Sequence, residues 1–76
     1  MCLGVPAIVL EVRDDFTAIV DYGGIKKVVD IMLVPDVKPG DYVIVHAGSI
    51  IEKISKEDYE ETMSILREIF GAFKEE

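Results

Sequence analysis

The sequence is poor in reactive side chains: its 76 residues include one cysteine, one histidine and no tryptophan. A single cysteine excludes an intramolecular disulfide, so a domain of this size must be held together by packing alone. This cysteine usage is typical of a reducing cytosol, and we expect a cytoplasmic protein. There is no apolar run of about eighteen residues and no basic segment followed by a long apolar run. We therefore expect neither a membrane span nor an ordinary secretion signal.

Basic residues are also scarce, since eight Lys and Arg face fifteen Asp and Glu and give a formal net charge of -7. Nucleic-acid-binding proteins usually present a basic surface that releases counterions when they bind. Proteins that bind single strands also stack bases on aromatic side chains within a positive groove. The composition therefore disfavours nucleic acid as a partner.

The chain does contain a series of short apolar segments separated by turn residues. Gly23 and Gly24 interrupt two of them and favour a tight hairpin turn, because glycine adopts positive φ at little steric cost. Glu52 and Lys53 indicate that the last segment is an edge or is partly exposed. Alternation and β-branched content predict five strands. They cover residues 5–12, 16–22, 25–34, 42–47 and 50–54.

The periodicity changes after residue 54. Ser55 and Asp58 resemble a capping box in a shorter acidic form, which predicts the start of a helix. Apolar residues then recur at spacings of three and four and form one face. They are Tyr59, Met63, Leu66, Ile69, Phe70 and Phe73. A helix from 55 to 73 would be about 28 Å long, so we expect part of it to project beyond a small barrel.

These elements predict a single domain over residues 1–76 that is mainly β. The fold class is a small OB-like five-stranded barrel (1–54) with a C-terminal α-helix (55–74). Periodicity does not reveal the order in which strands pair, so an OB barrel and an SH3-like barrel remain alternatives at this point.

Cys2 is the only thiol, and it directly follows Met1. If Met1 is removed, residue 2 would carry a thiol and an α-amine, both of which bind metals once deprotonated. A soft thiolate suits low-spin iron that carries carbonyl or cyanide. The alternative is that Cys2 is a small buried hydrophobic residue. The sequence therefore makes Cys2 a candidate metal ligand.

His46 is the only histidine and should share a strand face with Tyr42 and Ile44 if the alternation is regular. It is the second candidate metal ligand, and the alternative is a histidine at the barrel rim held by one hydrogen bond. A Cys–His pair suggests transient carriage of a metal, in contrast to a closed four-ligand zinc site. No serine pairs with His46 in a recognisable nucleophile motif, so we do not expect an enzyme.

Residues 1–7 read MCLGVPA and resemble the signature of HypC/HupF-type hydrogenase maturation chaperones. In that signature, Met-Cys is followed by an apolar residue, a small residue, an apolar residue and proline. Three further segments are similar to the family, and the resemblance spans nearly the whole chain. They are residues 18–24, the stretch from 33–35 to 40–43, and residues 45–48. The chain departs from the signature at Ala7 and Ile8, where the family usually has glycine and a basic or polar residue.

The resemblance implies a chaperone that helps to assemble the Fe(CN)2CO group of nickel-iron hydrogenases and to deliver it to the large-subunit precursor. It implies that Cys2 and His46 bind this iron fragment transiently, without an organic cofactor. The implied partners are a HypD-type iron-sulfur scaffold protein and the large-subunit precursor, with no nucleic acid and no membrane. We expect Cys2 and an exposed apolar patch of Leu3, Val5 and Pro6 to contact the scaffold.

Two other interpretations remain at this point. A generic OB-type binding module for a peptide or nucleic acid is the first, because this fold serves many unrelated functions. A thiol enzyme that uses Cys2 and His46 is the second, and it would show turnover instead of stoichiometric complex formation. Neither interpretation explains the signature in residues 1–7.

Overall fold

A computed structural model describes residues 4–71 and shows a small β-barrel followed by one helix. The strands are β1 Val5–Val12, β2 Thr17–Tyr22, β3 Ile25–Asp30, β4 Tyr42–His46 and β5 Ser49–Ile54, and the helix is α1 Lys56–Gly71. The predicted fold class, mainly β with a C-terminal helix, is therefore confirmed. Over the described range, the structure contains no helix with the length and apolar character that crossing a membrane requires.

The strands close into a barrel in the order β1-β2-β3-β5-β4, and β4 pairs back onto β1. Neighbouring strands are antiparallel except β3 and β5, which run parallel and meet at the single pair Asp30 and Ser49. This non-sequential closure is the Greek-key arrangement of an OB barrel. The strand order therefore decides between the OB and SH3-like alternatives in favour of the OB type.

Small and β-branched side chains fill the barrel, as its narrow interior requires. The buried apolar residues are Ala7, Val9, Ala18, Val20, Val29, Ile31, Val37, Val43, Val45 and Ile50. The period-two interpretation of the second strand is confirmed for Ala18 and Val20. It is wrong for Phe16, which precedes β2 with a φ of 61° and leaves 57% of its surface exposed.

The third strand is shorter than predicted, because β3 ends at Asp30 and not at residue 34. Ile31 still donates its N–H to the Phe16 carbonyl at 2.9 Å, but Val34 then donates to the Ile31 carbonyl at 3.1 Å and turns the chain. Ile31 and Val37 belong to this loop, and their side chains are buried in the barrel core. The apolar residues after Asp30 therefore contribute to the barrel core, although they do not continue the strand.

The N-terminus of α1 has the predicted cap, since the Asp58 N–H donates to Ser55 Oγ at 3.0 Å. The helix packs against β1 and β4. Tyr59 stacks obliquely on Tyr42, with ring centroids 4.7 Å apart and planes at 41°. Burial raises the pKa of the Tyr59 phenol above its usual value, and the negative charge of Asp21 adds to that effect.

Only part of the predicted apolar helix face is covered. Tyr59, Met63 and Leu66 are half-buried, whereas Ile69 is 49% exposed, so the expected burial is wrong at Ile69. The cause is length: sixteen helical residues extend about 24 Å, and the molecule measures 40 × 21 × 20 Å. The helix therefore runs past the barrel, as expected. The predicted side-chain packing of Phe70 and Phe73 and the predicted helical residues 72–74 lie outside what the structure describes.

Candidate functional site

His46 ends β4 and is exposed at the barrel rim. The alternation predicted for this strand is confirmed, because Val43 and Val45 point into the core while His46 shares the other face with Tyr42 and Ile44. A tight turn follows at Ala47 and Gly48, whose φ angles are 54° and 82°. Two successive positive φ angles are typical of the primed hairpin turns, and this turn places His46 opposite Ser49 in β5.

Asp30 holds the turn that follows His46. Its N–H donates to the Gly48 carbonyl at 2.9 Å, and its carboxylate accepts a hydrogen bond from Ser49 Oγ at 2.7 Å. The other carboxylate oxygen accepts from the Met32 N–H at 3.3 Å. The end of β3 is thereby fixed to the rim. Sequence reasoning missed Asp30, because its contacts depend on a parallel pairing that the sequence pattern does not show.

Gly4 lies at the same end of the barrel as His46. The pairing of Val5 with Val45 continues β1 alongside the end of β4. A Cβ atom on Gly4 would overlap Cγ2 of Ile44 and come within 3.2 Å of the Val45 carbonyl oxygen. This close approach explains why the signature needs a small residue at this position. The two preceding site residues, Cys2 and Leu3, lie outside the described residues.

The Gly4→Ala variant is expected to unfold at a lower temperature than the unaltered protein. The added methyl overpacks against the stiff β-branched side chain of Ile44, and such overpacking costs about 1–3 kcal/mol. Thermal unfolding followed by circular dichroism measures the loss. The double variant Gly4→Ala/Ile44→Ala removes the overlapping methyl, so the cost of Gly4→Ala should be smaller in that background. The same cost in both backgrounds would contradict this contact.

The expected exposed patch is only partly present. Val5 is 42% exposed, but Pro6 is among the fully buried side chains. The expectation that Pro6 is exposed is therefore wrong: it pairs with Ile44 in β4, and α1 packs against both strands. Pro6 is therefore part of the packed interior at β1 and not of an exposed docking surface.

The described part of the chain does not form a metal site by itself. Within residues 4–71, no group of three or more His, Cys, Asp or Glu side chains could hold a metal ion. His46 offers one imidazole at the rim, and the carboxylate of nearby Asp30 already accepts two hydrogen bonds. Among the described residues, His46 therefore remains a candidate for a single metal ligand at the rim.

Comparisons with known proteins place residues 1–66 within the model of the HupF/HypC family. The chain is 44% identical over 68 residues to "Hydrogenase maturation factor HypC" of Rhizobium leguminosarum bv. viciae, which covers 90% of this chain and 91% of the relative. It is 41% identical over 69 residues to the protein of the same name from Cupriavidus necator, covering 91% and 77%. It is 36% identical over 75 residues to "Hydrogenase maturation factor HybG" of Escherichia coli K12, covering 91% and 92%. The resemblance drawn from residues 1–7 and the later segments is confirmed.

Proposed function

The chain belongs to the HupF/HypC family, and from that membership we propose that it is a hydrogenase maturation chaperone. The observation that carries the proposal is the family match over residues 1–66. It is supported by relatives named hydrogenase maturation factors, which this chain matches over most of their length. The chain acts by forming complexes with other maturation proteins and not by turnover. This mode suits a domain in which His46 has no serine partner in a recognisable nucleophile motif.

The cargo in this proposal is the Fe(CN)2CO fragment, and the Cys2 thiolate is its principal ligand during transfer. A soft thiolate is suited to iron that already carries carbonyl and cyanide. Gly4 lies beside the end of β4, and only Leu3 separates it from Cys2, so the two Cα-to-Cα steps between Cys2 and Gly4 span at most about 7 Å. We assign the Cys2 thiolate and the His46 imidazole to one transient iron site, because Cys2 is two positions before Gly4 in the sequence and Gly4 lies at the same barrel end as His46.

The proposed partners are a HypD-type iron-sulfur scaffold protein, which supplies the iron fragment, and the large-subunit precursor of a nickel-iron hydrogenase, which receives it. We place the exchange in the cytoplasm, because a lone thiol that must stay reduced is suited to that compartment. The competing function is a generic OB-type binding module for a peptide or nucleic acid, and the charge of the chain disfavours the nucleic-acid form of it. The charge of -7 opposes phosphate binding.

Copurification tests the proposal. The tagged full chain, isolated from cells that make the hydrogenase, is expected to bring down both partners, identified by mass spectrometry. Infrared spectra of the same preparation should show bound cyanide and carbonyl. Cells that lack the large-subunit precursor provide the control, because the scaffold complex should persist there while the second complex disappears. Recovery of neither partner would contradict the proposed function.

A further inference from the structure

Three large apolar side chains are exposed on two connected loops of the barrel. Phe16 is 57% exposed, and Met32 and Leu33 are each 70% exposed. The two loops are joined because Ile31 donates its N–H to the Phe16 carbonyl at 2.9 Å, and Met32 and Leu33 follow directly. We call Phe16, Met32 and Leu33 the loop patch. Large exposed apolar side chains grouped on joined loops of a small domain are candidates for an interaction site.

The backbone at Phe16 is held in a conformation that a bulky residue rarely adopts. Its φ of 61° lies in the left-handed region, where a Cβ atom is disfavoured. The turn is braced on both sides, since Thr17 Oγ1 donates to Asp15 Oδ1 at 2.5 Å and Arg13 donates its N–H to the Thr17 carbonyl at 2.9 Å. The structure thus maintains a strained aromatic residue in solvent, where glycine would fit with less strain. Such strain is frequent at functional positions.

Acidic residues flank the loop patch. Asp14 and Asp15 are exposed in the turn before Phe16, and Asp30 lies directly before the loop that carries Met32. The hydrogen bond from Thr17 lowers the pKa of the Asp15 carboxyl, so this group remains charged well below neutral pH. The nearby cation, Arg13, lies 3.9 Å from the Glu11 carboxylate, which partly offsets its charge. The surface therefore combines apolar side chains with negative charge.

The loop patch is connected to the rim that carries His46. Asp30 contacts the Met32 N–H on one side, and Gly48 and Ser49 on the other. Ser49 pairs with His46 across the turn between β4 and β5. A partner seated on the loop patch would therefore be adjacent to the candidate iron-binding end of the barrel.

We infer that the loop patch is a docking surface for a protein segment that presents apolar side chains flanked by lysines or arginines. The apolar and acidic character of the surface specifies that chemistry by complementarity. A second copy of this chain fits poorly, because two-fold contact would bring Asp14 and Asp15 against their own equivalents in a protein of net charge -7. The inference rests on the proposed function in one respect: the partner that carries the segment is the scaffold protein.

The test measures the affinity of the purified full chain for a purified HypD-type scaffold protein by calorimetry at two salt concentrations. Phe16→Gly removes the aromatic side chain and relieves the strained backbone, so it should keep or raise the melting temperature while weakening binding about tenfold. Leu33→Asp should weaken binding by at least as much. Ile25→Asp is the matched control, because Ile25 is 58% exposed at the opposite end of β3 and should bind as the unaltered protein does.

The outcomes separate the inference from the proposed function. Unchanged affinity in Phe16→Gly and Leu33→Asp, with normal binding by the unaltered chain, would overturn the loop patch alone. Equal losses in Ile25→Asp would overturn it as well, as would an affinity that does not fall with salt. A dimer of the unaltered chain that Phe16→Gly converts to monomer would assign the surface to self-association instead. Failure of the unaltered chain to bind the scaffold would overturn both the proposed function and the inference.

Discussion

The Cys2→Ser variant is expected to fold as the unaltered protein does and to lose hydrogenase maturation almost completely. Within residues 4–71, the buried apolar core is formed by residues between Ala7 and Ile50, and we expect this packing to support the fold when the thiol is replaced. Serine preserves the approximate size and polarity of the side chain but replaces a soft sulfur ligand by a hard hydroxyl oxygen. The variant would therefore lack the proposed principal ligand of the iron fragment.

The measurement has two parts, a melting curve of purified Cys2→Ser and a complementation assay in cells that lack the unaltered protein. Hydrogenase activity should fall to the level of the uncomplemented cells, while the melting temperature stays within about 2 °C, which for a domain of this size is a fraction of 1 kcal/mol. An Ile25→Ser variant, changed at an exposed position of β3, should complement normally. Full activity of Cys2→Ser would contradict the iron-carrier mechanism. A large drop in melting temperature would assign the thiol to the fold.

The parts of the fold that sequence reasoning predicted well are those controlled by local pattern. β1 runs over Val5–Val12 as predicted, and the hairpin at Gly23 and Gly24 forms with both φ angles positive. Asp21 adds a hydrogen bond from the Gly24 N–H at 2.9 Å. The cap at Ser55 is equally local. At the hairpin and at the cap, the groups that form the hydrogen bond are three residues apart, so the local sequence is sufficient to predict the structure there.

The parts that could not be predicted depend on contacts between distant residues. The apolar run that includes Ile31 has the composition of a strand, yet it leaves β3 because the chain turns to close the barrel core. The parallel pairing of Asp30 with Ser49 joins residues nineteen positions apart and has no signal in periodicity. Strand order therefore required the structure.

The residues of the candidate site also differ in whether local sequence or distant contacts reveal them. Cys2 and His46 were identified because each is the only residue of its kind, and the orientation of His46 followed from simple alternation. Gly4, Asp30 and Phe16 were not identified as site residues. Their significance comes from a close approach to β4, from hydrogen bonds to another strand and from a strained φ, and each of these properties requires known neighbours.

The His46→Ala variant is expected to retain less iron than the unaltered protein while binding its partners with nearly the same affinity. His46 is exposed at the end of β4, so its removal leaves the core and the turn at Ala47 and Gly48 in place. Loss of one imidazole ligand should reduce iron retained after purification by roughly tenfold, since even partners one shell removed from a metal change affinity by about 10–100-fold. Iron analysis and the infrared bands of cyanide and carbonyl measure retention, and calorimetry with the scaffold measures binding.

Glu52→Ala is the matched control, because Glu52 is exposed in the neighbouring strand β5 and should leave both measurements unchanged. Unfolding of His46→Ala would show that the histidine is structural, and weaker scaffold binding with normal iron would assign it to docking.

The double variant with Cys2→Ser distinguishes one iron site from two independent contributions. If both residues bind the same iron, removing His46 after Cys2 is gone should cost nothing further, because ligands that act as a unit are not additive. Additive losses would place the imidazole outside the iron site.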